Sequence, residues 1–286
     1  MKNRLNKIIL GSANFGIKYG YKYKKINNNE ILSILKLSSK YGIKLIDTAQ
    51  SYGNSEKKLG KYNSKNFKFI TKISNLKYIN QKKIHEILET SKINLKVNKI
   101  ECLMFHDYKE FVKKKFFLPN MFVKMKGKSF NKIGVSVYKP SELYKCLKFK
   151  KLDIIQIPFN IIDYRWNDVN FNKIKSQNRS LEIHVRSIFL RGILPNRIQS
   201  LPNWFKNKQK LTDELNLLKI KYDSNLEEIL FNYVLQQKWV NKIVIGISTL
   251  SQLKKIKSYL KFKKKINLDQ KIFSFIPTKI LMPKYW

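Results

Sequence analysis

The sequence is poor in the residues that build disulfide frameworks and metal centres. It contains two cysteines, Cys102 and Cys146, and three histidines among 286 residues. The cysteines form no CxxC pair, and a disulfide framework is therefore excluded. The histidines form no HExxH motif, which argues against a zinc site. We expect reduced thiols and no bound metal.

Long apolar runs are also missing. No stretch approaches the roughly 20 apolar residues needed to span a bilayer. The N-terminal segment offers only Ile8-Ile9-Leu10 as an apolar core, which is too short for a secretory signal. The sequence therefore predicts a cytoplasmic protein without membrane contact.

Acidic residues are scarce, with 19 Asp and Glu against 59 Lys and Arg, and the formal charge is +40. Such a charge can indicate a polyanion-binding protein. However, the lysines are scattered along the chain, they outnumber the arginines, and residues with A/T-rich codons are common throughout. We favour a composition bias and predict no specific nucleic-acid partner, although attraction of anionic substrates is expected either way.

Hydrophobic residues make up 43% of the chain, enough for a sizeable core. Eight short runs rich in β-branched and aromatic residues alternate, for the most part, with amphipathic stretches of helical period. The predicted strands are Lys7–Leu10, Ile43–Asp47, Phe67–Lys72, Glu101–Phe105, Lys132–Val137, Asp153–Ile157, Leu181–Val185 and Lys242–Ile247.

Alternation of this kind favours parallel strands joined by right-handed helical crossovers. Eight such units predict an α/β fold of the (β/α)8 TIM-barrel type, as one domain over residues 1–286. A doubly wound open sheet is the alternative. Its typical GxGxxG motif is missing, because the first strand runs into Gly11-Ser12-Ala13-Asn14-Phe15-Gly16.

Polar side chains stand at three consecutive strand ends: Asp47, Lys72 and His106. Strand alternation turns them inward at the carboxyl rim, where this fold builds its active sites. Tyr52 follows in the loop after Asp47. Carbonyl reduction needs a proton for the developing alkoxide, and we expect the Lys72 ammonium to lower the pKa of Tyr52. A neutral His106 would orient the carbonyl oxygen.

These residues carry a resemblance to the aldo-keto reductase family, which extends from Leu10 to about Leu253. The similar segments are Asp47-Thr48-Ala49-Gln50-Ser51-Tyr52-Gly53, Thr71-Lys72 and Phe105-His106-Asp107. The resemblance implies reduction of an aldehyde or ketone, or oxidation of the alcohol. It gives Tyr52 the role of proton donor, with Lys72 and Asp47 tuning the phenol. It gives His106 the role of binding the carbonyl oxygen.

The resemblance also implies NADPH as cofactor, with NADH as the alternative. It places Ser136 and Gln156 at the nicotinamide carboxamide, and Arg186 where an aromatic ring often stacks on the nicotinamide. The adenosine phosphate would lie near the last strand. The remaining residues that it assigns to the cofactor are Ser187, Gly246, Ser248, Thr249 and Gln252.

Two other hypotheses stay open at this stage. The first is a barrel that senses nucleotide or acts as a scaffolding subunit, and the second is a polyanion-binding protein. For the enzyme hypothesis the partner is a small carbonyl compound. The segment 186–192 resembles the same segment in a bacterial subgroup of this family, whose members are found among surface-polysaccharide genes. This resemblance favours a sugar-derived substrate.

Overall fold

The computed structural model describes residues 2–20, 26–62, 66–74, 81–195 and 197–282. Eight strands form one closed barrel, in which each strand pairs in parallel with the next and the eighth pairs with the first. The strands are β1 (Ile8–Gly11), β2 (Leu45–Asp47), β3 (Lys68–Ile73), β4 (Ile100–Phe105), β5 (Phe130–Ser136), β6 (Ile154–Pro158), β7 (Glu182–Arg186) and β8 (Lys242–Gly246). The predicted (β/α)8 architecture is confirmed.

Helices connect the strands and cover the outside of the barrel. Within the described ranges they are α1 (Lys2–Leu5), α2 (Ala13–Gly16), α3 (Asn28–Lys40), α4 (Ser55–Tyr62), α5 (Gln81–Leu95), α6 (Tyr108–Met125), α7 (Pro140–Cys146), α8 (Phe171–Gln177), α9 (Lys208–Tyr222), α10 (Leu226–Leu235) and α11 (Leu250–Tyr259). None of these helices combines the length and the apolarity that a bilayer crossing requires.

Asparagine side chains begin several of these helices. Asn27 accepts from the amide of Glu30 at 2.7 Å at the start of α3, and Asn225 accepts from the amide of Glu228 at 2.9 Å at the start of α10. Each Asn satisfies one of the backbone donors that a helix start leaves unpaired. The polar Asn-rich composition therefore contributes directly to helix boundaries.

Two apolar layers hold the barrel together. The larger lies between the strands and the helices. The smaller fills the bore, where side chains from alternate strand positions meet; its buried members are Ile9, Ile70, Cys102, Met104 and Ile154. At Gly134 an added Cβ would lie 2.8 Å from Met104 Cε, so the bore is filled at this level.

The amino end of the bore is ionic. Lys132 Nζ lies 2.5 Å from Glu182 Oε1, and His184 Nε2 lies 2.8 Å from Glu182 Oε2. His184 is fully buried, and burial lowers its pKa. These contacts place His184 inside the barrel, below the carboxyl rim.

Candidate active site

A buried ion pair lies at the carboxyl rim. Lys72, at the end of β3, is 1% exposed, and its Nζ bonds the Asp47 carboxylate at the end of β2. The ammonium also donates to the Thr48 carbonyl at 3.0 Å. The second Asp47 oxygen accepts from Gln156 Nε2 at 2.8 Å. Since both charges are removed from water, each depends on these partners.

Tyr52 and His106 lie above this pair. Lys72 Nζ is 5.2 Å from the centre of the Tyr52 ring. The Tyr52 and His106 rings meet edge to face with centroids 5.8 Å apart. Ser51 Oγ is 3.2 Å from His106 Nδ1, while the His106 amide donates to the Ile73 carbonyl at 2.9 Å. The four residues singled out from the sequence thus lie together at one rim.

Burial sets the protonation of both rings. It lowers the pKa of His106 from 6.5 to about 4, and the neighbouring charges of Lys72 and Arg186 act in the same direction. His106 is therefore neutral at pH 7. Burial, followed by the Asp47 carboxylate, raises the pKa of Tyr52 well above its ordinary value.

The direction for Tyr52 corrects the expectation that Lys72 lowers its pKa. The Lys72 ammonium is bonded to Asp47, so its positive charge is largely compensated by a carboxylate that acts on Tyr52 in the opposite sense. Of the nearby cations, Arg186 lowers the pKa of Tyr52. The phenol consequently keeps its proton at neutral pH and can give it to an oxygen that develops negative charge.

Close backbone packing holds the Tyr52 loop. A Cβ at Gly16 would come within 1.7 Å of the Tyr52 carbonyl oxygen and 2.6 Å of the Ser55 amide. Gly53 has φ +57, and a Cβ there would lie 2.7 Å from the Gly16 oxygen. Only glycine leaves room for two backbones to approach this closely. The pair Gly16 and Gly53 therefore fixes the position of Tyr52.

A buried hydroxyl cluster lies behind the rim. Ser55 Oγ donates to the Ser12 carbonyl at 3.1 Å, and Thr48 Oγ1 donates to Ser55 Oγ at 3.2 Å. Ser12 Oγ in turn donates to the Asp47 carbonyl at 3.0 Å. This cluster ties β1, β2 and α4 together around Asp47. Sequence reasoning missed Ser12 and Ser55, which carry no motif of their own.

A buried carboxylate supports the other side of the loop. Glu56, 4% exposed, accepts from Thr71 Oγ1 at 2.6 Å and from Ser91 Oγ at 3.3 Å. Gln50 Nε2 donates to Ser91 Oγ at 2.8 Å. The two residues on either side of the Tyr52 turn, Gln50 and Glu56, are thereby anchored to α5.

Gln156 and Ser136 offer polar atoms suited to an amide. They are neighbours in the register of β5 and β6, and both are buried at the rim. Gln156 uses its Nε2 for Asp47, while its buried Oε1 has no partner within the described part of the chain. An acceptor without a partner is costly to bury. A carboxamide NH₂ would satisfy it, so these residues fit a nicotinamide.

Arg186 ends β7 and faces the same rim. Its guanidinium stacks on the Tyr138 ring at 4.4 Å and donates to the Val137 carbonyl at 3.2 Å. Ser187 follows with φ +63, a left-handed conformation that is strained for a residue other than glycine. The sharp turn directs the chain after β7 across the mouth, where the Arg191 guanidinium lies 5.3 Å from the Tyr19 ring.

The residues assigned to the adenosine end lie after β8. Gly246 is exposed and pairs with Gly11 of β1, and a Cβ at Gly246 would meet nothing within 4 Å. The Ser248 amide donates to Gln252 Oε1 at 2.7 Å, and the Gln252 amide donates to Thr249 Oγ1 at 3.2 Å. The structure thus uses Thr249 and Gln252 as caps of α11.

Among the described residues, neither the two cysteines, the possible metal ligands nor a surface cleft adds to the site at the rim. Both cysteines are buried, and burial raises the pKa of Cys146 to about 12 and that of Cys102 well above its ordinary value. Across the described ranges, no three His, Cys, Asp or Glu side chains are grouped to hold a metal ion. A cleft of about 540 Å³ lies between α9 and the segment 267–272, away from the rim.

Comparisons with known proteins support the barrel fold. The glycerol dehydrogenase AKR11B4 from Gluconobacter oxydans has a similar fold, with a TM-score of 0.69 and 19% identity over 97% of this chain and 92% of that one. The thermostable aldo-keto reductase Tm1743, solved with the inhibitor epalrestat, gives 0.68 and 17% over 94% and 93%. The search of curated proteins returned no match. The model of the aldo/keto reductase family matches residues 7–272, and the chain therefore belongs to this family of carbonyl oxidoreductases.

Proposed function

We propose that this protein is an NAD(P)H-dependent oxidoreductase that reduces an aldehyde or ketone, or oxidises the corresponding alcohol. The observation that carries the proposal is the buried pair of Lys72 and Asp47 directly below Tyr52 and His106. A buried pair is weak evidence for stability. Perturbed groups that converge at the carboxyl rim of a barrel are stronger evidence for catalysis.

In the reductive direction, Tyr52 donates the proton to the carbonyl oxygen. Its pKa lies well above neutrality, so the phenol is protonated when substrate arrives. His106, neutral because of burial, has a ring N–H available to hydrogen-bond and orient that oxygen. Arg186 lowers the pKa of Tyr52 and so stabilises the phenolate left behind, while Lys72, held in place by Asp47, lies below the ring.

The bound nicotinamide supplies the hydride in this scheme. Gln156 Oε1, which has no partner in the described part of the chain, would accept a hydrogen bond from the carboxamide, and Ser136 would lie beside it. By the family resemblance, Arg186 and Ser187 would border the ring, while Gly246, Ser248, Thr249 and Gln252 would border the adenosine end. The family resemblance favours NADPH as the cofactor, and NADH, which lacks the 2′-phosphate, is the alternative.

The side chains around the rim support a proposal for the substrate class. Arg186, Arg191, Tyr19 and Tyr138 surround the mouth with cations and hydroxyl-bearing rings. Such groups suit a polar, hydroxyl-rich carbonyl compound, and we propose a sugar-derived substrate. A structurally similar protein is a glycerol dehydrogenase, which acts on a polyol.

The test compares the wild-type protein with Tyr52→Phe. The wild type should consume NADPH or NADH with at least one member of a panel of aldoses and simple aldehydes. Tyr52→Phe should lower kcat/KM by about 10²-fold or more, the size of a general-acid contribution, and leave nucleotide affinity unchanged. Tyr144→Phe removes a hydroxyl from an exposed ring on α7 and should retain the full rate.

Equal turnover by Tyr52→Phe would refute the assigned role of the phenol. Nucleotide binding without turnover across the whole panel would instead favour the nucleotide-sensing or scaffolding hypothesis. The two results are separable, because the binding titration needs no substrate.

A further inference from the structure

Glu30 reaches from the first turn of α3 to the first turn of α11. Its Oε1 accepts from the Leu250 amide at 2.6 Å, a contact between residues 220 positions apart. Asn27 caps the amide of Glu30 itself. The carboxylate therefore occupies the N-terminus of α11, where the positive end of the helix dipole favours an anion.

Two further amides at this helix start also have partners. The Ser248 amide is bonded to the Gln252 side chain, and the Gln252 amide is bonded to Thr249 Oγ1. A phosphate arriving here would compete with these bonds and would also meet the Glu30 carboxylate. In barrels of this fold, the loops after strands 7 and 8 are the common phosphate-binding region. In this chain the region carries an anion of its own.

A second polar group near β8 also favours a hydroxyl over a phosphate. Asn14, in α2, donates from Nδ2 to Ser248 Oγ, and its Oδ1 is buried without a partner in the described part of the chain. An unpartnered acceptor can receive a hydrogen bond from a hydroxyl, whereas it repels a phosphate oxygen. Ser248 and Leu250 are two residues apart in sequence, so Asn14 and Glu30 flank the same stretch of chain.

We propose that Glu30 selects a cofactor with a free ribose 2′-hydroxyl, so that the protein binds NAD(H) in preference to NADP(H). The inference rests on the proposed function, which puts the adenosine end of the cofactor beside Ser248 and Thr249. It departs from the NADPH preference that the family resemblance implies. The net charge of +40 attracts the pyrophosphate of both cofactors and does not distinguish them.

The test measures affinity rather than turnover. Dissociation constants for NAD⁺ and NADP⁺ are determined by calorimetric titration at physiological salt, for the wild type, Glu30→Gln and Glu228→Gln. Glu30→Gln removes the charge but keeps an oxygen that can accept from the Leu250 amide. Glu228→Gln is the matched control, because Glu228 occupies the equivalent position after Asn225 at the start of α10.

The wild type should bind NAD⁺ about tenfold or more tightly than NADP⁺, as expected for a phosphate beside one carboxylate. Glu30→Gln should reduce this ratio about tenfold by improving NADP⁺ binding, while NAD⁺ affinity stays constant. Glu228→Gln should keep the wild-type ratio.

Tighter binding of NADP⁺ by the wild type, or an unchanged ratio in Glu30→Gln, would overturn the role of Glu30 and leave the proposed function intact. Failure of both nucleotides to bind the wild type would overturn the proposed function itself, and the inference with it.

Discussion

Replacing His106 with glutamine should remove a defined part of the acid sensitivity of the fold. Burial lowers the pKa of this imidazole from 6.5 to about 4. The unfolded chain therefore binds a proton at a higher pH than the folded chain does. The stability that depends on a neutral His106 is complete above about pH 7 and is lost as the pH falls from 6.5 towards 4.

The magnitude follows from these two pKa values. Linkage gives a loss of about 2 kcal/mol for the wild type between pH 7.5 and pH 5, at about 1.4 kcal/mol per unit of pKa difference. His106 is partly exposed, so solvent makes this an upper value. His106→Gln has no such proton to bind, and its stability relative to the wild type should improve by up to about 2 kcal/mol over the same interval.

Urea unfolding followed by tryptophan fluorescence at the two pH values measures this difference. Acid effects of carboxylates and of His184 cancel in the comparison, because both proteins carry them. His85→Gln is the control, since the His85 side chain is 62% exposed on α5, and its pH profile should run parallel to that of the wild type. A parallel profile for His106→Gln as well would refute the assignment of a neutral, desolvated imidazole.

Three further changes test the packing and the charges around the rim. Lys72→Met should lower the unfolding free energy by about 3 to 5 kcal/mol in urea titrations, since Asp47 would stay buried without its cation, and adding Asp47→Asn should recover part of the loss. Gly16→Ala should lower kcat and reduce the unfolding free energy by about 1 to 3 kcal/mol, because the new Cβ meets the Tyr52 backbone. Gly42→Ala, where a Cβ meets nothing within 4 Å, should leave kcat unchanged. Arg186→Gln removes a positive charge, so it should improve binding of the oxidised, cationic nicotinamide about tenfold relative to the reduced form. Titration with both forms measures this ratio, and equal changes for the two would place Arg186 away from the ring.

The fold could be predicted because its signals are local. Each strand is a short apolar run of the kind that a sheet buried on both faces requires. The boundaries shifted by at most a few residues: β2 begins at Leu45 rather than Ile43, because Ile43 still packs in the turn after α3. The count of eight strand–helix units was sufficient to predict that the sheet closes into a barrel.

The site was predictable only in part, for a physical reason. Asp47, Lys72 and His106 stand at strand ends, so the strand period alone places them at one rim. Contacts between distant loops leave no such periodic trace. The bond from Glu30 to Leu250 and the contact of Gly16 with Tyr52 depend on how α2 and α3 pack, and the sequence does not encode these contacts as a motif.

The direction of the Tyr52 pKa could not be obtained from residue types either. A lysine beside a tyrosine lowers the pKa of the phenol only when the lysine's charge is not compensated. The structure pairs Lys72 with Asp47 and buries the phenol, and these two effects outweigh the cation. Burial and pairing are tertiary quantities, which explains the reversed sign.

The filled bore of the barrel has a kinetic consequence. Side chains such as Met104 and Ile154 close the axis beneath the Lys72–Asp47 pair, so nothing can enter or leave from below. Under the proposed function, cofactor, substrate and product would therefore enter and leave through the same opening, and a substrate seated over the nicotinamide would block release of the cofactor. Such an arrangement predicts an ordered reaction, in which the cofactor binds before the substrate and leaves after the product.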